Sequence, residues 1–130
     1  MRVTPEARAN TVLIVDDSPT IRRMVAASLR PLSDFTFEQA SNGLEAIERL
    51  SMASVAIVIL DLNMPDMHGL EVLRFIRSHD RYRSLPAVVL TTKDDPESRR
   101  SALEAGASLY MTKPFDPASL LAQVRELLAQ

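Results

Sequence analysis

Three aspartates follow apolar stretches in this sequence, and their positions could support metal chemistry. Asp16 and Asp17 end the stretch TVLIVDD, and Asp61 directly follows VAIVIL. Two carboxylates about 4 Å apart repel each other by roughly 4 kcal/mol at an effective dielectric of about 20, so three together require a proton or a cation. The sequence has no cysteine and no paired histidines. A hard, oxygen-seeking cation such as Mg²⁺ therefore suits this set of ligands.

A hydroxyl and an ammonium group follow two further apolar stretches. Thr91 ends PAVVLT, and Lys113 follows SLYMT. These groups could bind the equatorial oxygens of a phosphoryl group, and a carboxylate can act as a covalent nucleophile toward phosphorus. A single aspartate at such a position is most simply a turn or capping residue, so the prediction depends on all these groups meeting.

An alternation of strands and helices would bring these groups together. Strands are predicted at residues 11–16, 35–40, 55–60, 86–91 and 108–112. Helices are predicted to begin after Ser18, Asn42, Gly69, Asp95 and Asp116. Five such units imply right-handed crossovers and an α/β fold with a doubly wound, five-stranded parallel sheet. Ligands bind beyond the carboxyl ends of the strands in such sheets, which is where the polar groups stand.

The last two helices differ in how much apolar surface they offer to a core. The last helix has the strongest apolar stripe, at Leu120, Leu121, Val124, Leu127 and Leu128. The fourth helix offers mainly Ala102, Leu103 and Ala105. We therefore expect the fourth helix to pack weakly.

Length and composition are typical of one globular domain. The 130 residues have a net charge of −2 and a mean hydropathy of −0.01. We assign the domain to residues 11–130 and interpret residues 1–10 as a polar, poorly ordered lead-in. The scattered charges do not favour direct binding of nucleic acid. Because we find neither a membrane-spanning run nor a signal-peptide core, we expect a cytoplasmic location without membrane insertion.

Four motifs carry a resemblance to a known family. They are LIVDDS, VILDLNMPDMHG, VVLTT and YMTKPF, in this order along the chain. With them, the sequence resembles the receiver domains of two-component response regulators, most of all the single-domain, CheY-like type. The resemblance implies a flavodoxin-like receiver fold with strand order 2-1-3-4-5, the order known for CheY.

The resemblance also implies a role for each polar group at the site. Asp61 would be the phosphoacceptor, and Thr91 and Lys113 would bind the phosphoryl group. The implied Mg²⁺ ligands are Asp17, Asp61, the backbone carbonyl of Asn63 and, through a water, Asp16.

Further implied features surround this site. Pro65 and Gly69 would shape the loop after the third strand, and the Lys113–Pro114 peptide would be cis. Tyr110 matches the family's switch aromatic, which swings inward as Thr91 moves toward the phosphoryl group. Without the resemblance, Tyr110 would be interpreted as a half-buried strand aromatic.

Two positions beside the site depart from the commonest pattern of the family. His68 stands where a small polar residue often begins the third helix, and Lys93 lies two residues after Thr91. We interpret His68 as a surface residue and expect Lys93 to affect access to the site and the lifetime of the phosphorylated state. Arg99 and Arg100 are interpreted as a solvated helix face.

The function implied is that of a phosphorylatable switch. A histidine kinase or a histidine phosphotransfer protein would donate the phosphoryl group, and a downstream protein would bind the face made by helix 4, strand 5 and helix 5. The chain would not be an enzyme beyond its own phosphorylation and dephosphorylation, and chemotaxis is one possible pathway.

Three alternatives stay open. The chain could be the receiver fragment of a longer regulator, or a receiver-shaped interaction module that no longer takes phosphate. The third alternative is an aspartate-nucleophile phosphatase. Such an enzyme needs an acidic residue two positions after its nucleophile, where this chain has Asn63.

Overall fold

The computed structural model describes residues 9–64 and 67–130, in which strands and helices alternate as predicted. Most of the predicted lead-in (residues 1–10) and Pro65 lie outside the described residues. The strands are β1 (Thr11–Val15), β2 (Thr36–Ala40), β3 (Val55–Leu60), β4 (Ala87–Thr91) and β5 (Leu109–Thr112). The helices are α1 (Pro19–Ser28), α2 (Gly43–Met52), α3 (Gly69–Ser78), α4 (Pro96–Glu104) and α5 (Pro117–Leu128).

Polar side chains begin four of these helices where the sequence predicts helix starts. Each side chain accepts a hydrogen bond from the backbone amide three residues further on, and the four residues are Ser18, Asn42, Asp95 and Asp116. A cap of this kind contributes about 1 kcal/mol of stability, because it satisfies an amide that has no partner within the helix. The caps therefore fix where the chain turns from each preceding loop into its helix.

The five strands form one parallel sheet in the order β2-β1-β3-β4-β5, which confirms the predicted topology. Val15 lies opposite Leu60, and Thr91 lies opposite Thr112. The strands thus end at one common edge, where the chain continues into the predicted site residues.

The core has two layers, one on each face of the sheet. Successive residues of a strand alternate between these layers, as Leu13 and Ile14 of β1 do. One layer contains the inward residues of α2, α3 and α4, and the other contains those of α1 and α5. Because β1, β3 and β4 are covered on both faces, their apolar runs are continuous.

As predicted, α5 packs against the core more extensively than α4 does. One residue of α4 needs a correction. In α5, Leu120 and Val124 are fully buried. In α4 only Ala102 is buried, and Leu103 is 46% exposed, so the prediction that Leu103 faces the core was wrong. Neighbouring helical residues point about 100° apart, and the helix turns its small Ala102 toward the core. The contact of α4 with the core is consequently small.

Candidate functional site

The loop after β1 places two of the aspartates. Ser18 caps α1 by accepting a hydrogen bond from the Ile21 amide at 3.2 Å. The Ser18 amide in turn donates to Asp16 Oδ1 at 2.9 Å. Asp16 is buried by this turn, whereas Asp17 is exposed. The loop therefore presents one buried and one accessible carboxylate at the same edge of the sheet.

Asp61 directly follows β3 and is anchored through its backbone. Its amide donates to the Val15 carbonyl at 2.9 Å, and the Gly69 amide closes the following loop by donating to the Leu62 carbonyl at 3.0 Å. A Cβ atom at Gly69 would collide with the Asp61 carbonyl oxygen and the Leu62 Cα, so the loop requires glycine there. This agrees with the loop-shaping role expected of Gly69.

Two other residues of this loop had predictions of their own. Asn63 has an exposed side chain, and coordination of a metal by its backbone carbonyl stays a prediction. His68 is partly buried and caps α3, because its Nδ1 accepts a hydrogen bond from the Leu70 amide at 3.2 Å. The interpretation of His68 as a simple surface residue was therefore incomplete.

The predicted carboxylates and lysine meet as the sequence requires. Asp16, Asp17 and Asp61 each offer an oxygen atom, and these atoms lie within 4.8 Å of one another. Lys113 Nζ lies 2.6 Å from Asp16 Oδ2 and 3.7 Å from Asp61 Oδ2. The Lys113–Pro114 peptide bond is cis, as expected. The Lys113 ammonium lies within 4.0 Å of two of the three carboxylates, and among the described residues no other lysine or arginine nitrogen is that close to them, so negative charge prevails in the cluster.

The surroundings of the Asp61 carboxyl group disfavour its charged form. Its side chain is 7% exposed, and burial raises its pKa above the ordinary aspartate value. The Lys113 ammonium offsets part of this rise in pKa, whereas the Asp16 carboxylate adds to it. The Asn63 amide and the Thr91 hydroxyl lower the same pKa by smaller amounts.

One oxygen of the Asp61 carboxyl group nevertheless has no hydrogen-bond partner among the described residues. Within residues 9–64 and 67–130, Asp61 Oδ1 is buried without a hydrogen-bond partner. A buried acceptor in this state costs roughly 1–3 kcal/mol unless a ligand satisfies it. The three carboxylates supply the oxygen donors that hard divalent cations prefer, so the cluster could hold such an ion.

Thr91 and Tyr110 lie on neighbouring strands, two positions apart in register, because Tyr110 lies opposite Val89 and Thr91 lies opposite Thr112. Thr91 is fully buried at the end of β4, and its hydroxyl accepts a long hydrogen bond from the Lys93 amide at 3.4 Å. Tyr110 on β5 is 5% exposed and donates from its hydroxyl to the Lys93 carbonyl at 2.5 Å. Burial raises the pKa of the Tyr110 phenol, and the nearby Asp95 carboxylate adds to that rise. In this structure the tyrosine ring occupies an inward position.

The contact between Arg99 and Tyr110 was not predicted from the sequence. The Arg99 guanidinium group lies 4.7 Å from the centre of the Tyr110 ring. Arg99 and Arg100 are both exposed, which confirms the interpretation of a solvated helix face, and the contact with Tyr110 is an addition to it. Arg99 and Tyr110 belong to different elements, α4 and β5, and no local pattern in the sequence connects them.

None of the helices in the described part of the chain has the length and apolar character that a membrane span requires. Comparison with known proteins identifies the family to which the chain belongs. A family model described as a response regulator receiver domain matches residues 12–125. The chain is also 36% identical over 118 residues to the chemotaxis protein CheY1 of Helicobacter pylori, covering 90% of this chain and 95% of the relative.

Further relatives agree with this match. The chain is 38% identical over 120 residues to response regulator Rre1 of Synechocystis, covering 92% of this chain and about half (52%) of the relative. The solved structure of Vibrio cholerae chemotaxis protein CheY4 superimposes with a TM-score of 0.83 at 34% identity, covering 92% of this chain and 99% of that one. The BeF3-activated DrrB receiver domain gives a TM-score of 0.84 at 30% identity, covering 95% and 100%. The chain therefore belongs to the response regulator receiver domain family.

Proposed function

We propose that this chain is a phosphorylation-controlled switch in which Asp61 accepts a phosphoryl group from a histidine kinase or a histidine phosphotransfer protein. The observation that carries the proposal is the buried Oδ1 of Asp61, which has no hydrogen-bond partner among the described residues and lies beside two other carboxylates and the Lys113 ammonium. A structural aspartate would have its oxygens satisfied, whereas a nucleophile needs a free oxygen in a preorganised site.

Mg²⁺ is the cation that best fits this chemistry. Asp16, Asp17, Asp61 and the backbone carbonyl of Asn63 would hold it, with Asp16 acting through a water. When bound, the ion would neutralise the carboxylates and the phosphoryl oxygens. It would thereby counter the raised pKa of Asp61 and favour the ionised form that attacks phosphorus.

The protein's own groups would complete the transfer. An Asp61 oxygen would bond to phosphorus as the bond from phosphorus to the donor's histidine nitrogen breaks. Lys113 would exchange part of its contact with Asp16 for the phosphoryl oxygens, and the Thr91 hydroxyl would donate to another oxygen. The chain would thus be an acceptor that catalyses only its own phosphorylation and dephosphorylation.

The output would depend on the loop between β4 and α4. Thr91 is the last residue of β4, and Lys93 lies in the loop that follows. The Tyr110 hydroxyl donates a hydrogen bond to the Lys93 carbonyl. Movement of Thr91 toward the phosphoryl group would shift these contacts, and α4 could follow at low cost because it buries only Ala102. A downstream protein would then recognise the altered face of α4, β5 and α5.

Incubation with acetyl phosphate and Mg²⁺ tests the acceptor. We expect one phosphoryl group per chain in the wild type and none in Asp61→Asn or when the cation is chelated. The label should be lost on alkaline treatment, as an acyl phosphate is. Equal labelling of Asp61→Asn would contradict the proposal, and the unchanged fold of that variant can be checked by circular dichroism.

The pathway and the full length of the protein are further parts of the proposal. The names of several relatives, which are called chemotaxis proteins, support a role in chemotaxis. A cytoplasmic location is part of the same proposal. The longer relative Rre1 supports the alternative that this receiver works within a longer regulator. Phosphotransfer from the complete set of histidine kinases of the host would identify the donor. Turnover of a small phosphoester would instead favour the phosphatase alternative.

A further inference from the structure

We propose that Arg22 and Gln39 form a positioning pair that orients Asp17, the exposed carboxylate of the acidic cluster. This inference rests on the proposed cation site and adds to it two residues that do not touch the cation. It also gives a role to β2, the one strand whose end carries none of the predicted site residues.

The pair connects α1, β2 and the acidic loop. Arg22, in α1, donates from Nε to Gln39 Oε1 at 2.9 Å and from Nη1 to the Asp16 carbonyl at 2.6 Å. Gln39 lies in β2, one residue before its end. The planar guanidinium group fixes the angle between its donors, so the bond to Gln39 also sets the direction of the bond to Asp16.

Asp16 is held at every polar atom by these contacts. Its amide donates to the Ala40 carbonyl at 3.1 Å, its Oδ1 accepts from the Ser18 amide, and its Oδ2 accepts from Lys113. The Arg22 bond fixes the remaining atom, the carbonyl oxygen. Arg22 therefore determines the orientation of the peptide bond between Asp16 and Asp17.

That peptide bond leads directly to Asp17. Because a peptide unit is planar, fixing the Asp16 carbonyl also fixes the direction of the Asp17 amide and the position of its Cα atom. The Asp17 side chain is exposed and has no hydrogen bond to any described residue. One of its oxygens lies within 4.8 Å of an oxygen of each of the other two carboxylates, and the backbone is what holds the side chain there. Arg22 and Gln39 therefore act on Asp17 through the backbone of Asp16.

A purely structural role for Arg22 would have different consequences. In that case, weakening its bonds would lower the stability of the fold and leave the cation affinity of the folded protein unchanged. Outer contacts that orient ligands typically change metal affinity 10–100-fold when they are removed. Cation affinity, measured on the folded protein, therefore separates the two roles.

The test measures Mg²⁺ dissociation constants by isothermal titration calorimetry at constant ionic strength. Arg22→Lys keeps the positive charge but loses the two-bond geometry, and we expect Mg²⁺ to bind about tenfold more weakly. Gln39→Ala changes an exposed side chain and should weaken binding about threefold. The double variant should bind about as weakly as Arg22→Lys, because both changes break one connection. Arg23→Lys is the matched control, since Arg23 contacts Thr20 and should leave the affinity unchanged.

A second measurement reports the orientation of the peptide bond between Asp16 and Asp17 in the absence of any cation. The NMR chemical shift of the Asp17 amide, which directly follows the Asp16 carbonyl, should move in Arg22→Lys and Gln39→Ala and stay near its wild-type value in Arg23→Lys. If both variants bind Mg²⁺ like the wild type while Asp17→Asn binds more weakly, the positioning role is wrong and the proposed function stands. If the wild type itself binds no Mg²⁺, the cation site fails, and this inference fails with it.

Discussion

Each end of the sheet holds a charged group away from solvent, partly for Arg77 and almost completely for Asp61, but the two groups have different partners. At the amino ends of the strands, the Arg77 guanidinium donates to the carbonyls of Gly106 at 3.0 Å, Leu85 at 2.7 Å and Arg83 at 3.2 Å. At the carboxyl ends, Asp61 keeps one buried oxygen that has no partner among the described residues. Burial disfavours the charged form at both ends, lowering the pKa of Arg77 and raising that of Asp61.

This difference separates a structural charge from a reactive one. The bonds of Arg77 tie α3 to the loops before β4 and β5, so its charge is fully used in holding the fold together. The charge of Asp61 is only partly compensated by Lys113, which lies closer to Asp16. The uncompensated part remains available for a cation and a phosphoryl group. The comparison predicts opposite results for substitutions at the two ends.

The largest effect is expected at Lys113. Lys113→Met should slow phosphorylation by acetyl phosphate on the order of 10²–10³-fold, because the ammonium group stabilises charge that develops on the phosphoryl oxygens. The same substitution should strengthen Mg²⁺ binding, since Lys113 no longer neutralises Asp16. Labelling rates and calorimetry measure the two effects. A parallel loss of both would show that Lys113 mainly maintains the structure of the site.

Substitution of Arg77, at the other end of the sheet, should instead lower the stability of the fold. Arg77→Ala should lower the free energy of unfolding by about 3 kcal/mol, because partly buried carbonyls lose charged donors. Urea unfolding measures the loss, and Arg74→Ala, an exposed arginine of the same helix, is the control. The folded variant should bind Mg²⁺ like the wild type. Weaker Mg²⁺ binding at temperatures where the variant is folded would contradict the separation of the two ends.

Asp61→Asn should stabilise the protein in a pH-dependent way. Because the folded state raises the pKa of Asp61, it binds this proton more tightly than the unfolded chain does. The contribution to stability is therefore complete below the ordinary aspartate pKa and is lost as the pH rises through the raised value. Without divalent cations, Asp61→Asn should have a Tm several degrees above the wild type at neutral pH.

The pH series supplies the control for this substitution. The difference in Tm should shrink as the pH falls toward the ordinary pKa of aspartate, and Mg²⁺ should shrink it at neutral pH. A difference that is the same at every pH would mean that the charge of Asp61 does not cause it.

The smallest effects are expected from two tyrosines, one at each end. Tyr110 donates to the Lys93 carbonyl at 2.5 Å, and Tyr82 donates to the Leu50 carbonyl at 3.0 Å. Either change to phenylalanine should lower the free energy of unfolding by about 1 kcal/mol. Only Tyr110→Phe should alter the NMR chemical-shift changes of α4 that beryllofluoride produces. An equal alteration in Tyr82→Phe would remove the special role of Tyr110.

The sequence was informative about features that depend on local patterns. Continuous apolar runs predicted β1, β3 and β4, and the polar residues at the ends of the strands predicted which side chains meet at Asp61. Contacts between elements were missed, because they depend on how the helices and strands pack. Arg22 with Gln39, and Arg99 with Tyr110, join residues of different elements, and neither pair follows a spacing rule. Leu103 was misplaced because its apolar character suggested a burial that the rotation of α4 prevents.

Binding of beryllofluoride in the presence of Mg²⁺ tests the central claim most directly, because this anion imitates the phosphoryl group and needs no phosphate donor. Fluorine NMR should show one saturable set of bound signals for the wild type, absent without Mg²⁺ and absent in Asp61→Asn. Bound signals of equal strength in Asp61→Asn, or none in a folded wild type with Mg²⁺, would contradict the assignment of Asp61 as the acceptor.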